Sequence, residues 1–296
     1  MAGTPIKAMM ILVTAFMLHA VSLDAKEQIV YSHLTDGYWQ IWIMDADGQN
    51  QRQVTSSAAD KREPEWMSDM DRVICRTNNG QLVMVDPKSH QEEDILPGFG
   101  NVHGPRYSPV IKKLIFTSVT MNPAETSEIW LSDLDGKDVR LVTRDMEFKY
   151  HPGFSPTADR IIFVKSGEDR NVHNIWSIDL DGTDLKQLTF AKARDTYPDL
   201  SRDEKFMVFS SNREKDNYDL YLLEVNNDTV KKLFGSPGIE TSPKFSGDGK
   251  EIIFVSSQSG SLQVWSIGRD GGGLRQLTAM PDESVDPAWA DVTDDK

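Results

Sequence analysis

A proline recurs six times along this 296-residue chain, each time with an aromatic or apolar residue two places on: Pro64 and Trp66, Pro105 and Tyr107, Pro152 and Phe154, Pro198 and Leu200, Pro243 and Phe245, Pro287 and Trp289. The prolines are spaced by 41, 47, 46, 45 and 44 residues, so one structural unit is being repeated. After each of the first five prolines comes a polar turn, then a β-rich run at residues 73–75, 114–116, 161–163, 207–209 and 252–254. A further run follows a variable loop, at residues 41–45, 82–86, 129–133, 175–179, 220–224 and 264–268. It often ends in Asp-Gly, as at Asp47-Gly48, Asp135-Gly136, Asp181-Gly182 and Asp270-Gly271, a strong hairpin signal. A short closing run such as RQVT, RLVT or KQLT completes the unit. Length and residue type make all four runs strands, and four antiparallel strands per repeat of this size predict a propeller blade.

Five units, headed by Pro64, Pro105, Pro152, Pro198 and Pro243, are complete. The stretch 29–55 has the second, third and fourth strands without a proline-headed first one, while Asp286-Pro287-Ala288-Trp289 is a first strand with nothing after it. Together they make a sixth blade. The expected fold is all-β, a six-bladed propeller of four-stranded antiparallel blades whose ring is closed by pairing the N- and C-terminal segments, which removes exposed inner edges.

Lys7 precedes an apolar run over residues 8–20, followed by Ala25 and then Lys26-Glu27. That order predicts a signal peptide over 1–25, since a membrane span needs roughly 20 apolar residues. The mature chain, 26–296, is expected to be one propeller, periplasmic or secreted, without a stable membrane anchor. The excess of 46 Asp and Glu over 32 Lys and Arg, a net charge of −14, argues against nucleic acid as a partner. One cysteine, Cys75, rules out a disulfide framework or a cysteine-rich zinc site. It takes the place held in other blades by Phe116, Phe163, Phe209 and Phe254, so it reads as a small buried hydrophobe.

The repeat, with its Pro-x-aromatic head, its Ile-Trp/Tyr third strand, Asp-Gly turn and closing Gln-Leu-Thr, resembles the TolB-type β-propeller repeat over residues 29–289 and lacks the signatures of WD repeats. The resemblance implies a periplasmic, non-enzymatic protein acting in the cell envelope through protein contacts. It extends to the propeller only: the α/β domain that precedes the propeller in TolB has no counterpart between residue 26 and the first strand.

In such blades the short hairpin turns share one face, while the dissimilar segments, including 120–128, 167–173 and 212–218 and the inter-blade connections, share the other. Function is expected on this irregular face. Glu63, His103, His151, Asp195, Glu240 and Asp286, one per inter-blade junction, are the candidate partner-binding residues at the channel rim. The expected partner is a protein or peptide, with a basic segment favoured by the acidic rim. No cofactor, metal or catalytic residue is assigned, since GxSxG and HExxH signatures are missing. The alternative is a carbohydrate-active enzyme of polysaccharide-lyase or glycosidase type, using paired rim carboxylates or a metal held by His103 and His151 with Glu63 or Asp195. Trp42, Trp130, Trp176 and Trp265, with Val83 and Tyr221 as counterparts, occupy one repeated position and are expected to pack blade against blade.

Overall fold

The computed structural model describes residues 27–120, 126–214 and 217–291. The expected signal peptide, 1–25, lies outside the described residues. Every regular element described is a strand, and the strands form six antiparallel sheets of four. Blades 2 to 6 run in chain order from inner strands Lys61–Met67, Val102–Ser108, Lys149–Phe154, Asp195–Leu200 and Glu240–Phe245. Blade 1 is composite, with the C-terminal Ser284–Asp291 as inner strand and Glu27–Thr35, Tyr38–Asp45 and Arg52–Gln53 completing it. Ile29 lies opposite Trp289 and Val30 opposite Ala288, so the ring closes through a strand ladder, as the split repeat predicts.

The middle strands show no polar alternation. Val73, Ile74 and Cys75 are all fully buried, as are Phe163 and Val164. Each sheet is covered on both faces by neighbouring blades, so both faces take apolar side chains. These sort into six clusters, each shared by two adjacent blades, from blades 1 and 2 round to blades 6 and 1. Val83, Trp130, Trp176, Tyr221, Trp265 and Trp42 fall one to each cluster, which is the blade-to-blade packing expected of that position. Cys75 belongs to the cluster between blades 1 and 2, and burial pushes its thiol up to about 12.

The Asp-Gly turns have a second role. A Cβ on Gly48 (φ +86°) would stand 2.8 Å from the Leu277 carbonyl oxygen, and one on Gly182 (φ +87°) 2.5 Å from that of Val142. These two turns therefore rest directly on the backbone of the preceding blade. The outer strands differ in length. Arg52–Gln53, Arg140–Leu141, Lys186–Gln187 and Arg275–Gln276 have two residues each, but Glu92–Ile95 in blade 2 has four and Thr229–Phe234 in blade 5 has six.

Candidate functional site

In all six blades the ladder between the inner strand and its neighbour skips the proline and the residue before it. It passes from Arg62 to Glu65, from His103 to Arg106, from Tyr150 to Gly153, from Thr196 to Asp199 and from Thr241 to Lys244, with the same break opposite Val30 and Ser32 in blade 1. This is a β-bulge, two residues facing one. The pre-proline residues Glu63, Gly104, His151, Tyr197, Ser242 and Asp286 all have φ between 49° and 57°. Left-handed backbone costs a non-glycine residue about 1 kcal/mol or more, and five of the six blades accept it. Glu63, His151, Tyr197, Ser242 and Asp286 then line one cavity of about 130 Å³ with Arg62, Arg76, Arg106 and Lys244.

The charges in this cavity are tied across blade boundaries. Glu63 Oε1 lies 2.8 Å from Arg76 Nε, and its Oε2 accepts the Gly104 N–H of the next blade at 2.6 Å. Burial acts to raise the Glu63 carboxyl, but Arg76 and the Gly104 amide outweigh it and hold the group below the usual range. Asp286 Oδ2 accepts from Arg62 Nε at 3.0 Å and from the Glu63 N–H at 3.3 Å. The Arg62 guanidinium also lies over the Trp39 ring, 4.6 Å from its centroid.

His151 is the neutral member. Its ring stacks on Tyr197 with centroids 3.6 Å apart and meets Tyr150 edge-on. Its buried Nδ1 has no hydrogen-bond partner among the described residues. Burial pushes the imidazole down to about 3, against the pull of Glu63 and helped by Arg106 and Lys244. Burial, with Asp286 and Glu63 nearby, pushes the Tyr197 phenol up to about 12. The cavity thus offers a flat aromatic surface, a Ser242 hydroxyl and already paired charges.

Two inter-blade ion pairs sit one step beyond the prolines, Glu65 with Arg106 at 3.6 Å and Asp199 with Lys244 at 3.0 Å. Asp199 also accepts the Phe245 N–H at 2.8 Å. Burial raises the Glu65 carboxyl, only partly opposed by Arg106 and Lys244. Arg106 and Lys244 line both the cavity above and a second one of about 390 Å³, which opens among the hairpin turns at Pro109 and Pro156.

Of the residues expected at the rim, the structure brings Glu63, His151 and Asp286 together. His103, two places before its proline, is half-buried beside the Glu63–Arg76 pair and does not line the cavity; burial and Arg76 lower its imidazole. Asp195 and Glu240, three places before theirs, are fully buried. Asp195 takes both carboxylate oxygens to Arg213 at 3.0 Å. Glu240 accepts from the Ser236 N–H at 3.0 Å, the Ser236 hydroxyl at 2.7 Å and the Ser256 hydroxyl at 2.9 Å. Lys61 and Lys149 occupy the same position and are likewise buried, Lys61 against Glu92 at 3.1 Å and Lys149 against Glu128 at 3.0 Å. That position anchors the start of the inner strand by a buried charge paired within its own blade or with the blade before it. Sequence reasoning missed Tyr197, Ser242 and the four basic residues; the constant pre-proline offset would have found the first two. Among the described residues no group of three or more His, Cys, Asp or Glu is placed to hold a metal.

A sequence profile of the TolB beta propeller domain matches residues 75–216 and 213–295. The uncharacterized protein Atu1656 of Agrobacterium fabrum is 27% identical over 159 residues, 51% of this chain and 53% of that protein, so about half the relative's length is matched. Among solved structures, TolB from Acinetobacter baumannii superposes with a TM-score of 0.78 at 22% identity, covering 90% of this chain and 67% of that one. A putative TolB from Agrobacterium tumefaciens gives 0.71 at 19% identity, over 87% and 90% of the two chains. An oligogalacturonate lyase in complex with manganese gives 0.62 at 14% identity, over 86% and 74%. At these identities the structural likeness speaks to the fold. No helix among the described residues is long and apolar enough to cross a membrane.

Proposed function

Because the chain belongs to the TolB beta propeller domain family, we propose that it is an exported, non-enzymatic propeller whose channel mouth binds an extended segment of a protein partner in cell-envelope assembly or maintenance. The observation that supports this reading most is the convergence of Glu63, His151, Tyr197, Ser242 and Asp286 from five blades on one axial cavity through left-handed bulges. Strain repeated at one place, with a different side chain each time, suits a recognition surface.

The partner's chemistry follows from what is left unpaired. Arg76 and Arg62 already answer Glu63 and Asp286, so a basic segment gains less from those carboxylates than their number suggests. The part of the Tyr197–His151 stack that lines the cavity favours an inserted aromatic or aliphatic side chain, while the buried Ser242 hydroxyl is already engaged by the Tyr197 phenol.

The test is capture of envelope proteins on the purified mature chain, repeated with Tyr197→Ala, His151→Ala and, on the hairpin face, Asp135→Ser. Channel variants should lose the captured partner by about tenfold or more, the loss typical of a central contact, and Asp135→Ser should keep it. Equal losses from both faces would remove the assignment. Cleavage of an acidic polysaccharide with added manganese would transfer the function to the enzyme reading. Export is checked separately by mass spectrometry, which should find an N-terminus near Lys26.

A further inference from the structure

The two long outer strands are sheet edges of opposite charge. Glu92–Ile95 in blade 2 exposes Glu92, Glu93 and Asp94, whereas Thr229–Phe234 in blade 5 exposes Lys231 and Lys232. An outer strand leaves every other N–H and C=O free to take a further strand, and two-residue edges are too short to do so. Charge of a single sign keeps each edge from pairing with its own counterpart. It does nothing to keep one edge from the other.

Their placement and facing agree. The clusters join blades 1 to 6 in order around the ring, so blades 2 and 5 are diametrically opposed. Glu93 and Ile95 turn toward blade 3, and Glu92 and Asp94 toward blade 1, following Ile95 and Val83 in their respective clusters. Lys231, opposite Leu222, turns toward blade 6, and Lys232, opposite Tyr221, toward blade 4. An antiparallel register with Glu93 opposite Lys231 puts Glu92 opposite Lys232 one step on. Opposite charges then meet on both faces of the joined sheet.

We propose that the occupant of each edge is a second copy of this chain: the acidic outer strand of blade 2 adds to the basic outer strand of blade 5 of the next molecule. The contact is heterologous and the two edges point apart, so it builds an open row of propellers rather than a closed ring. It is weak, because the strands are short and three of the four charges have partners within their own molecule, Lys232 with Asp219 at 2.6 Å, Glu92 with Lys61 at 3.1 Å and Lys231 with Glu224 at 3.7 Å.

Sedimentation velocity on the mature protein, from about 10 μM to about 500 μM at about 0.1 M salt, where the Debye length is ~10 Å, tests this. The weight-average mass should at least double across the range. Glu93→Lys alone and Lys231→Glu alone should stay monomeric, since each sets like charges opposite one another, with circular dichroism confirming the fold. An equimolar mixture of the two should associate again, because Lys at 93 then meets Glu at 231. A wild type that stays monomeric throughout, single variants that associate like the wild type, or a mixture that stays monomeric would each overturn the proposal.

Discussion

Replacing His151 with Phe should remove a pH dependence that the wild type carries. The imidazole has a pKa of about 6.5 in an unfolded chain and is pushed down to about 3 in the channel. With the folded value the lower one, the unfolded chain binds the proton first. The contribution of the neutral ring is therefore whole above pH 6.5 and is lost as pH falls toward 3. At pH 5 the unfolded imidazole is almost fully protonated and the folded one is not, a difference of about 2 kcal/mol. Phe keeps a ring against Tyr197 and cannot titrate. Urea unfolding of both proteins at pH 8 and pH 5 should show the variant gaining about 2 kcal/mol on the wild type at the lower pH, which is about 4–8 °C in Tm. Comparing the two proteins cancels His33, His103 and His173, whose imidazoles burial also lowers. A gap that is the same at both pH values would show that His151 is not held neutral, and the picture of a water-poor stack beside Glu63 would fall with it.

Two further outcomes follow from the packing. Gly182→Ala, which would drive a Cβ to 2.5 Å from the Val142 carbonyl, should destabilise by about 2–4 kcal/mol, whereas Gly37→Ala, at φ +83° with nothing within 4 Å, should cost about 1 kcal/mol from backbone strain alone. Equal losses in denaturant titrations would show that the Asp-Gly turns do not bear on the neighbouring blade. Deleting residues 286–296 strips Glu27–Thr35 of most of its inner partner and should give aggregation on light scattering; an unchanged, soluble product would mean that the ladder between the chain ends is dispensable.

The ring was legible because its determinants are local and repeated: a proline, an apolar residue two places on, a strand, an Asp-Gly turn. The split blade could be read from what each end lacked. The channel was legible only in part. One ionisable residue per junction gave Glu63, His151 and Asp286, which stand directly before their prolines, but also His103, Asp195 and Glu240, which do not. A strand alternates its sides with period two, and a bulge resets that count, so a displacement of one or two residues decides between the channel and the packed connection between blades. Asp195 and Glu240, expected at the rim as partner-binding residues, are buried instead because Arg213 and the Ser236 and Ser256 hydroxyls, distant in sequence or ambiguous in role, satisfy their carboxylates. The basic residues of the channel come from a second strand, Arg76, from two places before the proline, Arg62, or from one place after it, Arg106 and Lys244, positions with no repeated residue type to mark them.

The bulge before each proline separates two jobs that most binding sites entangle. The proline and the residue two places on hold the blade, while in five blades the residue before the proline turns its side chain into the cavity. Left-handed backbone is least tolerant of β-branched side chains, and none of Glu63, Gly104, His151, Tyr197, Ser242 and Asp286 is β-branched. The five side chains that reach the cavity from these bulges therefore form a short alphabet written on a fixed frame. On the proposed reading, affinity for a ligand would drift by single changes at those addresses without any redesign of the ring that displays them.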